Sequence, residues 1–133
     1  MTHLLDTDTC IHLLRGREAT VAQAAEHGPA DLAISAITRY ELLYGVERCP
    51  PGWREKEGAK VRLLLDALQV LAFTGETAVI AARIRATLET AGEAIGPMDL
   101  LIAATALEHR LILASGNVAE FARVPGLKPV SWA

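Results

Sequence analysis

Short apolar runs alternate with longer stretches of helical period along this chain, and that alternation admits few folds. His3–Asp6, Asp31–Ser35, Val70–Phe73, Leu111–Ala114 and Leu127–Trp132 read as strands. A helix capped by Asp8 is predicted through Leu14, ended by Gly16, and a second spans Glu18–His27 up to Gly28-Pro29. Further helices are predicted from Thr38 to Glu47, over Lys56–Leu68, over Glu76–Ala91 and over Leu100–His109. The longest of these places Val79, Ile80, Ile84 and Leu88 on one face. Pro97 suits a first helical position, and Cys49-Pro-Pro-Gly-Trp-Arg54 reads as a loop by its turn chemistry. The expectation is a single α/β domain over residues 1–133: a central, mostly parallel sheet of about five strands with helices on both faces.

A chain of 133 residues is long enough for one core. Its 51% apolar content suits helices packed on a sheet, and its charges are too dispersed to mark a disordered tail. The net charge of −3 excludes a broadly basic surface for nucleic acid, but leaves room for a local patch of arginines. Cys10 and Cys49 are too few for a disulfide framework or a zinc knuckle and read as reduced thiols. His3, His12, His27 and His109 lack metal-ligand spacing and are expected to be surface or helix-packing residues. No apolar stretch reaches the length of about 18 residues that a membrane span needs. A soluble, cytoplasmic protein is expected.

Four carboxylates sit where such a fold collects them. Asp6 closes the first apolar run, Glu41 lies in Ser35-Ala-Ile-Thr-Arg-Tyr-Glu-Leu-Leu-Tyr-Gly45, Asp99 follows Gly96-Pro-Met, and Glu120 lies in Ser115-Gly-Asn-Val-Ala-Glu-Phe121. Each has an ordinary structural explanation. Thr38-x-x-Glu41 fits a capping box, Asp99 suits a helix first turn, and Glu120 fits a solvated loop. Together these explanations do less well. An unpaired carboxylate at the end of a buried strand is costly, and strand ends of a parallel sheet share one crevice. Like charges about 4 Å apart repel by roughly 4 kcal/mol at an effective dielectric near 20. Such a cluster calls for a bound cation or raised pKa values. Hard oxygen donors without Cys or His favour Mg²⁺ or Mn²⁺ over zinc.

The runs Leu4-Leu-Asp-Thr7, Ser35-Ala-Ile-Thr-x-x-Glu-Leu-x-x-Gly45, Ile95-Gly-x-x-Asp-x-x-Ile-Ala-Ala-Thr-Ala106 and Ser115-x-Asn-x-x-Glu-Phe121 resemble the motifs of PIN-domain ribonucleases. The likeness is greatest to VapC-type toxins of bacterial toxin–antitoxin pairs, and it extends to the ending Val124-Pro-Gly-Leu-x-Pro-Val-x-Trp132.

The resemblance implies that Asp6, Glu41, Asp99 and Glu120 are catalytic and hold one or two Mg²⁺ or Mn²⁺ ions. Asp6 and Asp99 would be the main ligands. Thr7, Asp8, Ser115 and Asn117 would support them. Ser115 stands where Thr is usual and Asp8 where Asn is common; Asp8 is read first as a helix cap. The implied reaction is hydrolysis of an RNA phosphodiester by metal-activated water, with Arg39 and Arg15 as candidate phosphate contacts. Implied partners are RNA, a second copy of the chain, and a VapB-type antitoxin that covers the acidic groove. Tyr40, Leu43, Tyr44 and Trp53 are candidates for the antitoxin surface, although the first three read more readily as core.

Two other functions fit parts of the chain. Leu5-Asp-Thr-Asp-Thr9 matches the Asp-x-Asp-x-Thr signature of haloacid-dehalogenase-like phosphatases, with Asp6 as nucleophile, Asp8 as general acid and Ser35 on phosphate. The lysine such enzymes need is missing, because Lys56, Lys60 and Lys128 all lie far from Asp99 in sequence. A PIN-like fold kept only for binding is the other; all four acid positions being filled weighs against it.

Overall fold

The computed structural model describes all residues 1–133. Five strands form one all-parallel sheet: β1 (His3–Leu5), β2 (Leu32–Ser35), β3 (Gln69–Leu71), β4 (Ile112–Ala114) and β5 (Pro129–Val130), in the order β3-β2-β1-β4-β5. The helices are α1 (Thr7–Leu14), α2 (Glu18–His27), α3 (Ala36–Glu47), α4 (Pro51–Ala67), α5 (Gly75–Thr90), α6 (Pro97–Glu108) and α7 (Val118–Phe121).

Strand alternation sorts the core into two layers. Leu4, Ala33 and Leu113 face α5 and α6, where Ile84, Leu88, Ile102 and Phe121 close over them. Leu5, Ile34 and Ala114 face the other way, against Cys10, Leu42, Val61, Leu65 and Trp132. Leu4, Leu5 and Leu113 are fully buried. At about 1.5–3 kcal/mol per buried side chain of this kind, the centre of the sheet is rigidly fixed.

β1 is flanked by β2 on one side and β4 on the other, so the chain's winding reverses there. In an open parallel sheet, the ligand crevice opens beyond the carboxyl ends of the strands at such a switch point. The residue after β1 is Asp6, and the residue after β4 is Ser115.

Several local expectations need correction. Asp6, not Asp8, caps α1 by accepting from the Thr9 N–H. α3 begins two residues early because Ser35 Oγ accepts from the Thr38 N–H at 3.0 Å, so Glu41 has no capping task. Pro51-Gly-Trp-Arg54 is the first turn of α4 rather than loop, with Pro51 at a position whose missing N–H costs nothing. In α5 the buried stripe is Thr77, Ala81, Ile84 and Leu88, while Val79 turns outward. α7 has no counterpart among the predicted helices, being a single turn too short to show a period. Tyr40, Leu43 and Tyr44 are not core. Tyr40 and Tyr44 are 57% and 53% exposed, because the inward face of α3 is carried by Thr38 and Leu42, with Ile37 and Val46 packed beside them.

Candidate active site

Asp6 is the most enclosed of the four acids, 4% exposed at the seam between β1 and β4. Its backbone N–H donates to the Ala114 carbonyl at 2.9 Å. Its carboxylate accepts from the Thr9 N–H (2.8 Å), the Ser115 hydroxyl (2.7 Å) and the Gly116 N–H (3.3 Å). Burial raises its pKa, while the Thr9 and Ser115 bonds work against that rise by favouring the charged form; nearby Asp8 raises it further.

Glu41 reaches this end of the sheet from the second turn of α3. The Thr7 hydroxyl donates to Glu41 Oε1 at 2.5 Å and lies 3.2 Å from Thr38 Oγ1. Glu120 is held by the Asn117 side-chain amide and by the Gly96 N–H at 3.1 Å, which ties α7 to the start of α6. Three acids are thus aimed by donors that follow β1 or β4 or, for Gly96, precede α6.

Asp99 differs: its side chain takes no hydrogen bond, and its pKa is pushed up to about 6. Burial is the largest cause, followed by the charges of Glu120, Asp6, Glu41 and Asp8. Asp99 thus feels the charge of each of the other predicted acids. Asp8 is exposed in the first turn of α1 and adds negative charge there. A Cβ at Gly116 would stand 3.2 Å from Asp8 Cβ, so glycine allows the loop after β4 to pass beside α1.

The acids converge without closing up. No three Asp, Glu, His or Cys side chains stand close enough to form a finished metal cage. Asp6, Glu41 and Glu120 each take separate protein donors. The donor set still fits a hard divalent ion: carboxylate oxygens only, excess negative charge and one unbonded carboxylate.

The other predicted positions divide. Thr7, Ser115 and Asn117 each hold one of the acids. Arg15 lines a groove that also contains Glu41, whereas Arg39 lies in a separate shallow groove with Tyr40, Leu43 and Tyr44. Sequence reading missed Thr9, Thr38, Gly96 and Gly116. All four lie within quoted runs, but Thr9, Gly96 and Gly116 act through backbone N–H groups, which leave no side-chain signature.

The PIN domain family model matches residues 3–127. The chain belongs to the PIN domain family. Among PIN-domain relatives it is 32% identical over 129 residues to the tRNA(fMet)-specific endonuclease VapC of Salmonella typhimurium, covering 97% of this chain and 96% of that one. It is 31% identical over 132 residues to ribonuclease VapC2 of Haemophilus influenzae, covering 99% and 98%. The PIN fold superposes on the crystal structure of DNA-bound VapBC from S. typhimurium with a TM-score of 0.93, at 31% identity over 100% of this chain and 99% of that one. FitAcB from Neisseria gonorrhoeae gives 0.90 at 28% identity over 98% of each chain. Membership in this family displaces the phosphatase reading. Ser35, its required phosphate contact, is buried and spent on capping α3.

Proposed function

We propose that this chain is a divalent-metal-dependent ribonuclease toxin of the VapC kind, with Asp6, Glu41, Asp99 and Glu120 as its acidic centre. The geometry behind this reading is that hydrogen bonds from Thr7, Ser115, Asn117 and Gly96 hold Glu41, Asp6 and Glu120 beside the ends of β1 and β4 and the start of α6, the helix that carries Asp99. Relatives named as endonucleases and ribonucleases at about this degree of identity support it.

A bound Mg²⁺ or Mn²⁺ would supply charge to polarise a phosphoryl oxygen and lower the pKa of water. The residues of the chain supply position. Asp6 is fixed by Thr9, Ser115 and Gly116. Glu41 and Glu120 are aimed by Thr7, Asn117 and Gly96. Asp99, free of hydrogen bonds, would be the carboxylate most available to hold the ion. Arg15 is suited to steady a phosphate, because it shares the groove of Glu41; Arg39 faces elsewhere. No Ser or Cys is paired with a base, so a covalent intermediate is not part of the mechanism.

The resemblance to VapBC assemblies extends the proposal to partners: an antitoxin and a second copy of the chain. The groove between α1, α3 and α4 that carries Ile11, Leu14, Arg15, Glu41, Val46 and Trp53 suits an apolar antitoxin segment that ends in a basic residue at the acids. A cation there would occupy the place of the metal.

The test combines cleavage and binding. Purified protein is incubated with RNA with and without Mg²⁺ or Mn²⁺, and 5′ ends are sequenced after expression without antitoxin. Defined cuts are expected, together with loss of growth arrest in Asp6→Ala. Calorimetric Mn²⁺ titration should show binding by the natural protein and little by Asp99→Asn. Equal metal binding and no cleavage would leave a non-catalytic binding module.

A further inference from the structure

Glu41 is held differently from Asp6 and Glu120. Asp6 accepts from the backbone N–H groups of Thr9 and Gly116, and Glu120 accepts from that of Gly96. A backbone N–H is fixed by the chain itself, so each of those acids has at least one donor that cannot turn away. Glu41 has none. Its one donor is the Thr7 hydroxyl, 2.5 Å from Oε1, and a hydroxyl rotates to suit whichever acceptor is near. The aim of Thr7 therefore decides the aim of Glu41.

The hydroxyls behind Thr7 set that aim. Thr7 carries one hydroxyl hydrogen and a carboxylate only accepts, so this hydrogen belongs to Glu41. The 3.2 Å contact between Thr7 Oγ1 and Thr38 Oγ1 is then closed by the hydrogen of Thr38. Ser35 extends the row: its Oγ donates to Thr38 Oγ1 at 3.4 Å while accepting from the Thr38 N–H at 3.0 Å. Ser35 and Thr38 are both buried, where a hydroxyl without a partner is costly. One order satisfies every group: Ser35 to Thr38 to Thr7 to Glu41. Hydrogen bonds that run in one direction polarise and strengthen one another.

The row also crosses the fold. Ser35 ends β2, Thr38 and Glu41 lie three residues apart on one face of α3, and Thr7 opens α1 directly after Asp6. Thr7 thus sits between two of the acids, and its own hydroxyl is referred back to the end of β2. Glu41 Oε2 is left without a protein donor.

We propose that Thr38 is a positioning residue of the acidic centre: acting through Thr7, it holds Glu41 in one orientation and keeps Oε2 open to a divalent cation. The proposal rests on the ribonuclease reading for the ion, and on the hydrogen-bond geometry for the row of hydroxyls.

The test titrates Mn²⁺ into the full chain by calorimetry. Thr38→Val keeps the shape of the side chain and removes its hydroxyl; Thr38→Ser keeps the hydroxyl. Thr7→Val should weaken Mn²⁺ binding about tenfold to 100-fold, and Thr38→Val, one bond further out, about threefold to tenfold. Thr38→Ser should bind within about twofold of the natural protein, and Thr7→Val combined with Thr38→Val within about twofold of Thr7→Val alone. A role in packing alone would leave the two losses additive. Without metal, NMR relaxation of the Thr7 methyl should show order lost in Thr38→Val and kept in Thr38→Ser.

Mn²⁺ binding by Thr38→Val equal to that of the natural protein, or additive losses in the double variant, overturns the positioning role and leaves the ribonuclease reading standing. If the natural protein binds no Mn²⁺ and cuts no RNA, that reading falls and the Thr7 methyl decides the row of hydroxyls. Lost order in Thr38→Val then upholds it, and unchanged order overturns it.

Discussion

Ser115 donates its hydroxyl to Asp6 Oδ2 at 2.7 Å across the seam between β4 and β1, joining residues 109 positions apart. This bond links the ends of the two strands where the winding of the sheet reverses. It also favours the ionised form of Asp6 against burial.

Ser115→Ala should therefore cost about 1–2 kcal/mol of stability, the usual penalty for removing one partner of a buried charged hydrogen bond. The pKa of Asp6 should rise further. Thermal unfolding and carboxyl-carbon NMR titration of the variant would check both. An unchanged melting temperature would show that solvent replaces the hydroxyl.

Asp99→Asn is expected to raise stability at pH 7 in metal-free buffer. The carboxyl of Asp99 ionises near pH 6 in the folded chain, above its ordinary value of 3.8. The folded state thus holds the proton more tightly, and stability falls as pH rises from about 4 through 6. Discounted for solvent screening, the relieved repulsion amounts to about 1–2 kcal/mol at pH 7. That corresponds to a gain of roughly 4–7 °C in melting temperature. The same variant should lose about 100-fold or more in Mg²⁺-dependent cleavage, the scale at which perturbed metal sites fail.

Asp8→Asn should draw the pKa of Asp99 back toward 3.8, because Asp8 is one of the charges that raise it. α1 should stay capped, since Asp6 performs that task. Carboxyl NMR titration of the variant measures the shift directly; an unchanged Asp99 would mean that Asp8 points away from the centre in solution.

A second pH effect has the opposite sign. His3 lies 4.3 Å from His27 between ring centroids, and Trp132 stacks on His27 at 5.5 Å. Burial and the His27 charge lower the pKa of His3, with Asp31 opposing them. The unfolded chain then takes up this proton first, so the contribution of His3 is present above about pH 6.5 and is lost as pH falls through that value. Melting curves in the Asp99→Asn background should show this loss between pH 7 and 5, and His3→Phe should flatten it.

Trp53 is 58% exposed in the groove that also holds Arg15 and Glu41. Trp53→Ala should weaken antitoxin binding about tenfold or more, as expected for an aromatic anchor. RNA cleavage by the free chain, on the proposed reading, should change little. A calorimetric titration against the cognate antitoxin decides the first point, and a cleavage assay the second.

Much of this was legible in order along the chain. The apolar runs ending at Asp6 and Ala114, the small-residue helix after Pro97, and the acids beside them follow from propensity and period, which are local properties. Each of the five predicted strands is present, with ends shifted by a few residues because pairing partners decide where a strand stops. What the sequence determined by itself was therefore the parallel α/β layout and the set of acids.

The tertiary structure decided how each acid is held and which faces stay open. Asp6 caps α1 because β1 delivers the chain there in extended form, and Asp8, two residues on, is left to the solvent. Glu41 has no capping task because Ser35 caps α3. The aromatic rings of α3 look like core in a pattern of spacings, yet they are exposed because α1, α4 and the sheet cover only its other side. Packing between elements distant in sequence fixes these outcomes, and no local propensity carries information about which neighbour arrives.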